Sequence, residues 1–159
     1  MSLNTITEPN AEATSEAADA TAEVRFDTKV VVVLRDDVLP WQELNVTAFL
    51  MSGIATSEAN LVGQPYRDAD DNHYLPMLRQ PVLVMTASAE LLAKAREKAA
   101  GRELPMAVYT EELFSTGHDA ANRAAVAEVP ARELNLVGIA IRGPKNVVDR
   151  IVKGARMHD

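Results

Sequence analysis

Residues 28–35 read TKVVVVLR, and Asp36 and Asp37 follow at once. Four consecutive valines and a leucine show no alternation of apolar and polar positions. Such a run marks a strand covered on both faces, since a face open to water would impose a period of two. Pro40 then suits the first turn of a helix, where its missing N–H has no partner to lose. Trp41, Leu44, Ala48 and Met51 recur at spacings of three and four, with Phe49 and Leu50 widening the stripe. This predicts an amphipathic helix over about 40–55. The two acids at the junction have two readings: an ordinary strand-to-helix turn, or the rim of a site.

Outward from this pair of elements the alternation continues. Residues 66–67 and 73–74 predict short strands around 68-DADDN-72, where Asp and Asn side chains bond their own backbone. Residues 81–85 (PVLVM) predict a second strand. Ser88 caps a helix over about 89–100, with Glu90 in its first turn and Gly101 as its stop. Residues 106–110 (MAVYT) form a third strand, 119–128 a short Ala-rich helix and 135–143 (NLVGIAIRG) a fourth strand. A closing helix over 145–156 turns Val147, Val148, Ile151 and Val152 inward. Strands alternating with helices imply an α/β fold with a mainly parallel sheet and right-handed crossovers.

Residues 1–24 stand apart. They carry Glu8, Glu12, Glu16, Asp19 and Glu23, with no Lys, Arg or aromatic residue and no periodic apolar stripe. A disordered acidic tail is expected there, because too little apolar surface is present to offset the entropy of ordering. Residues 25–159 remain as a single domain, in line with the usual ~100–150 residues.

The composition, 47% hydrophobic but 4% aromatic, predicts an aliphatic core. The absence of cysteine removes disulfides, thiolate catalysis and cysteine-based zinc sites. No apolar run approaches the ~20 residues of a membrane span, and the N-terminus lacks the pattern of a signal peptide. The expectation is a cytoplasmic protein with no membrane partner. Five of the 23 acids lie in the tail, so the rest sets 18 acids against 16 bases. Without a basic footprint, nucleic acid is not an expected partner.

No glycine-rich phosphate loop is present, and no cofactor is expected. The stretch Asp68-x-Asp70-x-Asn72 opens like a calcium loop, but its sixth position is His73 and its twelfth Arg79. His73, His118 and His158 lie far apart. No metal site is expected.

The segment 29-KVVVVLRDD-37, leading into an amphipathic helix, resembles the start of the type II peptidyl-tRNA hydrolases. So does 136-LVGIAIRGP-144 leading into 148-VDRIVKG-154. A closer likeness is to DUF2000, an uncharacterised bacterial family assigned to that fold. It spans roughly residues 28–158 and includes 37-DVLPWQELNVTAF-49, 74-YLPMLRQP-81, 107-AVYTEELF-114 and 143-GPKN-146. The resemblance implies a three-layer α/β/α domain whose four-stranded mixed sheet has order 2-1-4-3, with strand four antiparallel. It also implies a homodimer. The hydrolases carry a Gly-Lys pair early in the first helix where Leu44-Asn45 stand here, and the amide of Asn45 does not replace that charge. Their later Gln and Ser-His meet Phe49 and Met51-Ser52, and their aspartate after the third strand is matched by Glu111.

In open α/β sheets ligands sit beyond the carboxyl ends of the strands. Asp36 and Asp37, Ser88, and Glu111 with Glu112 fall on that rim, although acids near helix starts also complement the helix dipole. Asp37, Asn45 and Glu111 are the candidate catalytic residues. Asp36, Trp41, Thr110 and Phe114 are candidate ligand contacts, and Phe49 joins Trp41 and Phe114 as an apolar wall. Two functions follow. The first is a small-ligand-binding or regulatory domain on a hydrolase-like scaffold. The alternative is a hydrolase of an ester or amide, with Glu111 or Asp37 activating water and Asn45 polarising a carbonyl.

Overall fold

The computed structural model describes Ala20 and residues 22–159, so the expected tail over 1–24 lies outside the described residues except at its end. The valine run forms β1 (Thr28–Arg35), and Val30 to Leu34 are all within 1% of complete burial. Two helical layers explain the unbroken run. Val30, Val32 and Leu34 pack on one face against Val46, Leu50 and Ile54 of α1 (Pro40–Ala55). Val31 and Val33 point to the other, against Leu92, Ala95 and Ala99 of α2 (Ala89–Gly101) and Val148 and Ile151 of α4 (Lys145–Ile151). A strand between two apolar layers has no polar position to spare.

The remaining elements are the hairpin strands β2 (Tyr66–Arg67) and β3 (His73–Tyr74), then β4 (Val82–Ala87), β5 (Met106–Thr110), α3 (Asp119–Ala127), β6 (Leu136–Pro144) and β7 (Arg156–Met157). Short 3-10 turns cover Glu111–Ser115 and Ala131–Glu133. The main sheet has order β5-β6-β1-β4-β7. β1 runs parallel to β4, with Val32 opposite Val84, and antiparallel to β6, with Val32 opposite Ala140. β5 lies antiparallel to β6, and β7 antiparallel to β4.

Three expectations are corrected. The four-stranded order 2-1-4-3 gives way to a five-stranded one, because Arg156 and Met157 pair with Thr86 and Met85 on the outer edge of β4. The sheet is mixed and not mainly parallel: β6 enters between β1 and β5 against the direction of both, and among the described residues β1–β4 is its one parallel pairing. The closing helix stops at Ile151, short of 156. Gly154, with φ of 100°, takes a left-handed turn open to glycine and sends the chain back to the sheet edge.

The inward face of α1 also differs from the stripe read in the sequence. Val46, Leu50 and Ile54 are buried, while Trp41, Leu44 and Phe49 are 57%, 75% and 54% exposed. The helix can lie this close to the sheet because Gly138 of β6 sits beneath it. A Cβ there would come within 2.9 Å of Val46 Cγ1 and 3.1 Å of Leu50 Cδ1.

Candidate functional site

β1 and β5 point the same way, so the segments after them emerge at one end of the sheet. Arg35, the last residue of β1, occupies the space between them. Its Nε donates to Asp37 at 2.5 Å, one terminal nitrogen to Glu111 at 2.7 Å, and the other to Asn135 at 2.9 Å and the Leu136 carbonyl at 3.2 Å. Burial opposes the charge on Arg35, but the hydrogen bonds and charges of Asp37 and Glu111 outweigh it and hold its pKa above the ordinary arginine value. Asp37 and Glu111 therefore meet through a guanidinium, each partly exposed on its outer side. Asp36 is exposed, and its N–H donates to the Ala87 carbonyl.

Asn45 lies elsewhere. With Trp41 and Phe49 it lines one wall of a groove between α1 and the segment from Tyr109 to Ala127. Two adjoining hollows make up the groove. One, of about 470 Å³, lies over Gly53, Ala107 and Val126; the other, of about 430 Å³, reaches Phe114, Thr116 and His118. Phe49, Tyr109, Leu113, Asp119 and Asn122 line both.

Aromatic rings dominate the walls. Trp41 meets Phe114 edge-on at 5.7 Å between centroids, Phe114 lies 5.1 Å from Tyr109, and Tyr109 lies 6.0 Å from Phe49. Tyr109 is 5% exposed, yet its hydroxyl makes no hydrogen bond among the described residues. Burial pushes its phenol pKa up, so the group is neutral and a donor at neutral pH. Asn122 binds Thr116 through its side-chain oxygen, which leaves its amide N–H groups for another partner. His118 caps α3, its Nδ1 accepting from the Ala121 N–H at 3.3 Å. That contact fixes the neutral ring's proton on Nε2. Asp119 and Arg123 pair at 3.1 Å on the rim.

The structure thus divides the sequence-based set. Asp37 and Glu111 come together at Arg35; Asn45, Trp41 and Phe114 come together at the groove. Thr110 is buried at the end of β5, and its Oγ1 has no hydrogen-bond partner among the described residues. Sequence reasoning missed Tyr109, Leu113 and Asn122. Tyr109 reads as an ordinary strand residue in MAVYT. The usable signal was the polar face of α3, where His118, Asp119 and Asn122 recur at helical spacing beside an otherwise alanine-rich run.

Among the described residues, no helix is long and apolar enough to cross a membrane. No group of three or more His, Asp or Glu side chains among them is placed to hold a metal ion.

Comparison with known proteins places the chain close to others of undefined role. A family described as "Protein of unknown function (DUF2000)" matches residues 28–159. A solved structure, of the protein of unknown function Atu0240 from Agrobacterium tumefaciens strain C58, is similar at 45% identity with a TM-score of 0.82. The match covers 85% of this chain and 100% of that one. No curated protein matches.

Proposed function

The chain belongs to the DUF2000 family, and from that premise we propose that it is a small-ligand-binding domain whose site is the aromatic groove between α1 and residues 109–127. One observation carries this reading. The chain has seven aromatic residues, and four of them, Trp41, Phe49, Tyr109 and Phe114, line this groove. Tyr109 and Phe114 are anchored against the aliphatic core, whereas Trp41 and Phe49 stay more than half exposed. Apolar walls with a few convergent polar groups are the usual make-up of a ligand site. The free donors are the hydroxyl of Tyr109 and the amides of Asn122 and Asn45. The ligand is accordingly a small, flat, largely apolar molecule that presents hydrogen-bond acceptors.

The scaffold is proposed to be that of the type II peptidyl-tRNA hydrolases without their chemistry. Asn45 stands where they carry lysine, and the charge balance beyond the tail offers no broad basic surface for tRNA. The hydrolase alternative draws less support, because Arg35 engages both Asp37 and Glu111 while Asn45 lines a different hollow. The homodimer is likewise a proposal, supported by the exposed Leu44 on α1 and tested by sedimentation equilibrium.

Trp41, the single tryptophan, serves as the reporter. A panel of small aromatic and heteroaromatic compounds is titrated while its emission is followed. The expected result is a saturable change in the wild type, with affinity about tenfold weaker in Tyr109→Phe, which keeps the ring and loses the donor. The absence of any saturable response, or equal binding by the variant, overturns the reading.

A further inference from the structure

At the opposite end of β1, a second cleft has a different character. It measures about 300 Å³ and is lined by Arg25, Arg79 and Arg142, with Asn60, Gln80 and Glu58 among them. The three arginines come from three separate segments: the lead into β1, the lead into β4, and β6 itself.

Several of these donors keep N–H groups without a partner among the described residues. Gln80 is buried and bonded to Thr28 twice, its oxygen accepting from the hydroxyl and its amide donating to the carbonyl, both at 3.2 Å. It is part of the floor. Arg142 pairs with Glu58 at 2.5 Å, but its Nε is buried and meets no acceptor among the described residues. A buried N–H without an acceptor is costly, and native structures rarely leave one so. Among the described residues Arg25 pairs with Glu23 alone, in an exposed contact at 3.2 Å that contributes little. The guanidinium of Arg79 and the amide of Asn60 make no side-chain hydrogen bond or ion pair among the described residues. Among the described residues that line the cleft, three cations stand against one carboxylate, Glu58, and the unspent groups are donors.

We propose that this cleft binds a small oxyanion, the phosphate or carboxylate group of a low-molecular-weight compound, at a site separate from the aromatic groove. The planar fork of a guanidinium matches the paired oxygens of either group. The cleft's volume, about 300 Å³, suits a small molecule, and Glu58 sets the orientation by repelling an anion from its own side.

The test uses the full-length protein labelled with 15N and follows the arginine Nε–H and asparagine amide signals. Sodium phosphate and sodium succinate are titrated separately, with sodium chloride at matched ionic strength. The expected result is saturable shifts of Arg79, Arg142 and Asn60 with at least one oxyanion and none with chloride. A stronger response to phosphate assigns a phosphorylated ligand, and a stronger response to succinate a carboxylate. Arg79→Gln, on an exposed side chain, is expected to weaken binding about tenfold with the backbone spectrum otherwise unchanged. Lys94→Gln, on the far face of α2, is expected to leave it unaltered. Shifts reproduced by chloride, or undiminished binding by Arg79→Gln, overturn the proposal.

Discussion

Arg35 spends every edge of its guanidinium: Asp37, Glu111, Asn135 and the Leu136 carbonyl all accept from it. Replacing it with methionine keeps the stem and removes the donors. The two carboxylates can turn to water, but the Leu136 carbonyl and the junction between β5 and β6 lose their tie. Arg35→Met is expected to cost roughly 1–3 kcal/mol, read from the urea midpoint. Asn45 invites a second prediction. The purified protein should release no peptide from peptidyl-tRNA at rates typical of the type II hydrolases, and robust turnover would show that another group has replaced their lysine. Part of this site was legible in advance. Strands of one direction end at one edge, which is why Asp37 and Glu111 could be placed together from sequence. The residue joining them was in plain view, yet an arginine closing an apolar run reads as a surface charge until its distant partners are known. Tyr109 was hidden for the opposite reason, since a tyrosine in a strand reads as core.

At the level of elements, α1 shows why an apolar stripe can mislead. The helix is apolar on two sides, one packed on the sheet and the other walling the groove. The spacing of Trp41, Leu44, Ala48 and Met51 is real, but the first three are exposed; Met51 packs inward beside Val46, Leu50 and Ile54, which hold the helix down. Sequence periodicity reports that a face is apolar, not what it meets. The hairpin of β2 and β3 was readable because its turn chemistry is local. Asp68 accepts from the N–H groups of Asp70 and Asn72 and from the Tyr74 hydroxyl. β7 was not readable, because two residues carry no pattern and depend on the turn at Gly154. The contact of α1 with Gly138 yields the third prediction. Gly138→Val forces side-chain atoms into Val46, Leu50 and Leu34 and should cost about 1–3 kcal/mol, measured by thermal or urea denaturation. It should also weaken any ligand of the groove by displacing the helix that forms its wall.

Over the molecule as a whole, the segment after β7 is fastened to α1 through His158. His158 hydrogen-bonds the Asp159 carbonyl and reaches Glu43 on α1 at 2.9 Å, while its own N–H donates to Val84. The Asp159 carbonyl first, and Glu43 second, raise the imidazole pKa above its ordinary 6.5. The resulting stabilisation is full below 6.5 and is lost as pH rises through the higher folded value. Wild type should therefore exceed His158→Gln in thermal stability near pH 6, and the margin should shrink toward about pH 9. The acid limb has a separate origin. The Tyr74 hydroxyl, followed by Asn72, lowers the Asp68 pKa from 3.8 to about 2. Its contribution holds above 3.8 and fades as pH falls toward 2.

The placement of β6 has a consequence for how the chain is made. β1 emerges long before one of its two neighbours: Val30 waits for Arg142, and Leu34 for Gly138. Until then the most apolar stretch of the protein has an unpaired edge. Closing so long a loop is slow, and the interval is one in which such edges associate with each other. Helix α1 packs on one face of β1 and is translated directly after it, so it can shield the valines in the meantime. It cannot complete the ladder, which makes the yield of folded protein sensitive to whatever interrupts translation before residue 144.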